Sequence, residues 1–126
     1  MNIPKDLYEA AIAVRQKAHS PYSNFKVGAA LRSGNNIFVG ANVENASYGL
    51  SRCAEQSAIQ TMVSSGYKDF TEIVVYTEAN TPASPCGACR QILFEFAPDA
   101  KVFIINHKKV LKTFTVKELL PEGFSF

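Results

Sequence analysis

Residues 73–105 read IVVYTEANTPASPCGACRQILFEFAPDAKVFII, and this stretch decides the fold. Ile73 to Thr77 is a short apolar strand. After a Pro-containing loop, Cys89, Ile92, Leu93 and Phe96 recur at helical spacing, and the helix stops near Pro98. Val102 to Ile105 is the next strand. A strand, a crossover helix and a second strand of these lengths predict a right-handed parallel unit.

Outward from this unit the elements alternate. Upstream, Cys53 to Ser65 has a helical period, with Gly66 placed as its C-cap. Val27, Ala29 and Leu31 read as a strand, Ser33-Gly34-Asn35-Asn36 as a turn, and Ile37 to Ala41 as the returning strand of a hairpin. Leu7, Ala11, Val14 and Ala18 mark a first helix that Ser20-Pro21 ends. Downstream, Lys109 to Phe114 is a last strand, and Thr115-Val116-Lys117-Glu118 fits a capping box before a short helix. The expected architecture is α/β: a three-layer α/β/α sandwich around a mixed five-stranded sheet, with residues 1–126 forming one domain. Both inner helices follow strands, so their N-termini open on the strand-end crevice where α/β sheets bind ligands.

Composition narrows the function classes. With 47% hydrophobic residues the chain has material for an ordinary core, which excludes disorder. Three Cys are too few, and odd in number, for a disulfide-stapled miniprotein. A formal charge of +2 argues against a nucleic-acid or anionic-membrane surface. No stretch approaches the roughly 20 apolar residues of a membrane helix. Met1 to Ser20 has no basic start followed by an apolar block, so a cytoplasmic location with reduced thiols is expected.

The cysteines must then be packing, redox or metal groups. Pro85-Cys86-Gly87-Ala88-Cys89 sets two thiols one turn apart at a helix start, where the helix dipole favours thiolate. That pair suits a redox disulfide or half of a metal site. Cys53, also at a helix start, makes a third candidate ligand. No fourth Cys exists, and His19 and His107 read as exposed or locally bonded. Structural zinc is closed by four protein ligands, whereas catalytic zinc keeps a position for water, so three ligands favour a catalytic site.

Glu55 leads an apolar stripe with Ala58, Ile59 and Met62. A first-turn Glu is favoured by the helix dipole alone, but a carboxylate on a core-facing stripe is costly without a partner. Beside the cysteines it reads as a general acid/base. Cys53 and Glu55, two apart, point apart in a regular helix and reach one centre only if Cys53 lies on an irregular first turn. Three thiolates around Zn²⁺ leave one net negative charge. The helix N-termini offset part of it, and Arg52 or Arg90 could offset more by bonding sulfur.

Cys53-Ala54-Glu55 followed by Pro85-Cys86-Gly87-Ala88-Cys89-Arg90-Gln91 resembles the zinc nucleoside deaminase signature. From the first helix to Leu119-Leu120-Pro121, the chain is similar to the small homotetrameric cytidine deaminases. The resemblance implies one Zn²⁺ per subunit on Cys53, Cys86 and Cys89, with Glu55 as the proton carrier. The implied reaction is hydrolytic deamination of cytidine and deoxycytidine to the uridine products and ammonia. Tyr22 to Ala30 matches the family's first-strand segment, where Phe25 faces the pyrimidine. Asn42-Val43-Glu44-Asn45 matches its ribose segment, where Asn42 and Glu44 bond sugar hydroxyls. Ala54 leaves its backbone free to contact the base. Tyr48 and a C-terminal Phe reach a neighbouring subunit's site in the family, and Phe124 is the better positional match, ahead of Phe126. Gln56 stands where the family often has a basic residue, which predicts a more negative zinc centre unless Arg90 compensates.

Three alternatives compete with this reading. A deaminase of the same fold could act on blasticidin S or on single-stranded nucleic acid, although Asn42 and Glu44 favour a free nucleoside and no basic aromatic stripe is present. A thiol oxidoreductase using Cys86 and Cys89 leaves Cys53 and Glu55 without a task. A non-enzymatic zinc module needs a fourth ligand from His19 or His107.

Overall fold

A computed structural model of the chain describes residues 2–126. Its five strands form one sheet in the order β2-β1-β3-β4-β5. They are β1 (Val27–Ser33), β2 (Asn36–Ala41), β3 (Glu72–Thr77), β4 (Lys101–Asn106) and β5 (Leu111–Thr115). β3 and β4 pair in parallel, with Val75 opposite Ile104, and the other neighbours are antiparallel. The mixed sheet is therefore the expected one, and the 73–105 unit is its parallel centre.

The helices α1 (Lys5–Arg15), α2 (Ala54–Ser64), α3 (Gly87–Phe96) and α4 (Val116–Leu119) divide between the two faces. On one face Leu7 and Ala11 of α1 pack with Ala30, Val74, Tyr76, Phe103 and Ile105. On the other, Ala54, Ala58, Ile59 and Met62 of α2 and Leu93 of α3 pack with Ala29, Leu31, Ile73, Val75, Val102 and Ile104. Burial on both faces explains why β1, β3 and β4 show little polar alternation.

Two boundaries differ from the sequence expectation. α1 ends at Arg15 rather than near Ser20, because Gln16, Lys17 and Ala18 each bond a carbonyl three residues back and tighten the last turn. His19 then bridges to Val43 instead of ending the helix. β5 starts at Leu111, since Lys109 has a left-handed backbone (φ 61°) and belongs to the turn that Asn106 organises. Gly66 takes φ 96° just past α2, as a C-terminal glycine should. The capping box forms: Glu118 N–H donates to Thr115 Oγ1 at 3.2 Å, and Thr115 N–H to Glu118 Oε1 at 2.7 Å.

Gly40 sets how closely α2 lies on the hairpin. A Cβ there would sit 2.3 Å from the Ala58 nitrogen and 2.6 Å from the Ala54 carbonyl oxygen, both backbone atoms. Gly40→Ala is therefore expected to lower the melting temperature by about 5–15 °C, the overpacking cost of a well-filled core. Gly49→Ala, with nothing within 4 Å of its Cβ position, is the control that leaves thermal melting unchanged.

Candidate active site

The sheet order opens a crevice where β1 begins and β3 ends, and both α2 and α3 point their N-termini into it. Cys53 is the N-cap of α2 and Cys86 the N-cap of α3, and both have extended backbones, with ψ 161° and ψ 170°. The extended turn at Cys53 lets Cys53 and Glu55 line one cavity although they are two residues apart. Cys89 lies one turn into α3. Its N–H donates to Cys86 Sγ at 3.4 Å, and the two sulfurs are 3.4 Å apart.

The three sulfurs all lie within 4.8 Å of one another. Tetrahedral zinc with Zn–S bonds of about 2.3 Å needs sulfurs about 3.8 Å apart, so the cluster fits that ion. Among the described residues no His, Asp or Glu joins the group. His19 and His107 are both exposed. With three ligands, the donor set leaves a position for water.

The thiols are electrostatically unequal. Cys53 is pulled down to about 6, chiefly because Cys89 donates a hydrogen bond to its thiolate, with Cys86 and the Arg52 charge assisting. Cys89 is pushed up because it is the donor to Cys53 and because it is buried. Glu55 is 5% exposed. Burial pushes its carboxyl up to about 7, and the neighbouring Cys53 charge adds to that rise. A buried carboxyl near neutrality is suited to both taking and giving a proton.

The expected charge compensation by arginine takes a different form. Arg90 does not bond sulfur: its guanidinium donates to Pro85 O (2.8 Å), Leu119 O (2.9 Å) and Ser84 Oγ (2.9 Å). Those acceptors have no strand or helix partner for their lone pairs, and the fork of five donors matches them. Arg90 thus holds the loop before Cys86 against α4. Arg52 likewise bonds the Gly49 and Ser51 carbonyls and acts on Cys53 only through its charge. The side chain that does reach sulfur is Gln56, whose Nε2 donates to Cys89 Sγ at 3.7 Å.

A cavity of about 320 Å³ opens beside the cluster. Phe25, Asn42, Glu44, Cys53, Ala54, Glu55, Cys86 and Cys89 all line it. Asn42 and Glu44, expected to meet a sugar, also organise their own wall. Asn42 accepts from Val27 N–H (2.8 Å) and donates to Phe25 O (2.8 Å). Glu44 accepts from Tyr22 N–H (3.0 Å) and Ser23 N–H (3.2 Å), and the Ser23 hydroxyl donates to it as well. The Ser23 bond leads the contacts that hold this carboxyl below its usual range.

Tyr48 and Phe124 do not line this cavity. Tyr48 lies in a short 3₁₀ turn, is 73% exposed, and meets Tyr22 edge-on at 5.7 Å beside a neighbouring depression. Phe124 is 64% exposed, with its backbone held in both directions by the Gln91 amide. Sequence reasoning missed Ser23, Val27, Ser51, Val75, Ala83 and Ser84 as lining residues. Ser23 and Val27 carried a signal, their places two residues either side of Phe25.

Three thiols and a buried carboxylate at the strand-end crevice of an α/β/α sandwich define a metal-dependent hydrolase site. Residues 1–105 match the family described as "Cytidine and deoxycytidylate deaminase zinc-binding region". The chain belongs to this family. It is 45% identical over 121 residues to the cytidine deaminase of Halalkalibacterium halodurans, covering 94% of this chain and 92% of that one. The crystal structure of cytidine deaminase from Burkholderia pseudomallei superposes with a TM-score of 0.93 at 44% identity, covering 97% and 99% of the two chains. The blasticidin-S deaminase of Bacillus cereus is 34% identical over 131 residues, covering 95% and 93%. Zinc is the cofactor that Cys53, Cys86 and Cys89 fit, one ion per chain.

Proposed function

We propose that this chain hydrolyses the exocyclic amine of cytidine and deoxycytidine, giving uridine and deoxyuridine with ammonia in pyrimidine salvage. The observation that carries the reading is the buried Glu55 carboxyl on the same cavity as the three sulfurs and the Phe25, Asn42 and Glu44 wall. When bound, Zn²⁺ supplies the Lewis acidity that makes water a nucleophile at neutral pH. Glu55 takes one proton of the attacking water on its carboxylate and gives it to ring N3; it then takes the second, from the hydroxyl now on C4, and gives it to the amino group, which leaves as ammonia while the C4 carbonyl forms. Phe25 packs on the base, and the backbone at Ala54 faces it. Asn42 keeps one amide proton, and Glu44 keeps lone pairs, for the sugar hydroxyls.

Residues 1–126 act as one catalytic domain in this reading. The active form is a homotetramer in which Tyr48 and Phe124 of one subunit complete a neighbour's site. Their exposure supports this, because two aromatic rings outside their own cavity are free to enter another. The location is cytoplasmic, in keeping with three free thiols; among the described residues, no helix is long and apolar enough to cross a membrane.

An ultraviolet assay of the purified protein tests the reading. Cytidine is expected to be consumed, and a chelator strong enough to strip zinc to stop the reaction, with added zinc restoring it. Cytosine, blasticidin S and a cytosine-containing oligonucleotide are expected to turn over far more slowly. Preference for blasticidin S would move the substrate assignment to the other relative. Insulin reduction by metal-free protein would favour a thiol oxidoreductase.

A further inference from the structure

Two segments that line the cavity opposite the residues 42–55 side lie outside the sheet: the stretch before β1, which carries Ser23 and Phe25, and the stretch after β3, which carries Ala83, Ser84 and Cys86. Neither has strand partners there, so side chains must hold their backbone groups. Asn42 holds Phe25 O and Val27 N–H. The carbonyl between them, Lys26 O, accepts from Arg15 Nε at 3.1 Å. The same guanidinium reaches Glu78 Oε1 through Nη2 at 3.5 Å, at the first residue past β3. Glu78 is fixed in turn, because its other oxygen accepts from the Tyr76 hydroxyl at 3.0 Å. Buried Asn106 donates to Ala79 O (2.8 Å) and Asn80 O (3.1 Å), so the root of the second segment is rigid.

Arg15 itself has little freedom. Its side chain is 15% exposed. A Cβ at Gly28 would lie 2.1 Å from Ala11 O and 3.0 Å from the Arg15 nitrogen, so α1 rests on β1 backbone to backbone. We infer that Arg15 is a positioning residue for nucleoside binding, tying the Phe25 segment to the root of the Ala83–Cys86 loop and so setting the width of the cavity. A planar fork can serve a carbonyl on one segment and a carboxylate on the other. A lysine ammonium, a single point on a flexible stem, serves one of them well. The inference rests on the deaminase reading above.

The test compares Arg15→Met, Arg15→Lys and Glu78→Gln with the wild type. Steady-state kinetics on cytidine, uridine affinity, zinc content and hydrogen exchange at residues 22–27 are measured well below each melting temperature. Arg15→Met is expected to raise KM about tenfold with kcat within about twofold, since it loosens the binding walls and leaves Glu55 and the sulfurs alone. Uridine affinity is expected to fall in step, zinc to stay at one per chain, and exchange to quicken at residues 22–27. Arg15→Lys is expected to recover part of the loss, and Glu78→Gln to raise KM by a smaller factor. A folded Arg15→Met protein with wild-type KM and uridine affinity overturns the inference. So does a fall in kcat or zinc with KM unchanged. If Arg15→Met does not fold, Arg15→Lys and Glu78→Gln decide, and wild-type KM in both is the overturning result. A wild type that leaves cytidine untouched overturns the deaminase reading and this inference together, whereas an active wild type with unaffected variants overturns this one alone.

Discussion

Glu55→Gln is expected to abolish turnover of cytidine while zinc stays bound. The substitution keeps the shape of a residue that is 5% exposed, so it opens no cavity in α2. An amide cannot accept the proton of the attacking water, nor return one to ring N3 or to the leaving amine. Loss of one positioned general acid/base costs about 10²–10⁴-fold, and in the proposed reaction this carboxylate serves several transfers, so kcat should fall toward or beyond the upper end. None of the three sulfurs is touched, so elemental analysis should still find one zinc per chain. Burying a neutral amide is also less costly than burying a carboxylate, so the melting temperature should not fall. A variant that keeps kcat within tenfold of wild type would remove Glu55 from the mechanism.

Cys86→Ala is expected to do the reverse: the metal leaves, and activity leaves with it. Of the three sulfurs Cys86 is exposed, so truncation leaves no hole in the core, as truncation of buried Cys89 would. Two thiolates and solvent then replace a three-thiolate site, and zinc content should drop well below one per chain after gel filtration in metal-free buffer. Cys86 also caps α3 by accepting from Cys89 N–H, so a loss of about 1 kcal/mol in stability should accompany the change. Elemental analysis beside the Glu55→Gln protein separates the roles, since one variant is inactive with metal and the other inactive without it. Full zinc occupancy of Cys86→Ala after a chelator wash would show that the cluster is not the metal site.

Much of the site was legible because its signals are local. The thiol pair one turn apart, the carboxylate leading the Ala58-Ile59-Met62 stripe, and the helix starts after strands are all short-range patterns, and the structure places each as expected. The requirement of an irregular turn at Cys53 was also readable, since no regular helix brings two residues of that spacing together. Arg90 was misread because a sequence neighbour of a ligand is not its spatial neighbour. Arg90 follows Cys89 directly, yet the helix turns its side chain toward Pro85 O in the preceding loop and Leu119 O at the end of α4. The ends of α1 and β5 were misplaced because an i→i+3 tightening and a left-handed residue leave no mark in hydrophobic spacing.

Taken alone, the amino-acid sequence determined the order of elements, the faces each must bury, and the three sulfurs and the carboxylate on which the proposed reaction rests. Those properties depend on periods of two to four residues and on the chemistry of single side chains. Tertiary structure decided what meets across long stretches of chain. The β2-β1-β3-β4-β5 order brings the start of α2 to the start of α3, closing Cys53 onto Cys86 and Cys89 and burying Glu55 along the same cavity. It also decided that Gln56, rather than an arginine, meets sulfur, and that Arg15 joins Lys26 O, just before β1, to Glu78, just after β3. The physical reason is that a distance between remote residues is the sum of every packing contact between them, and no local pattern encodes that sum.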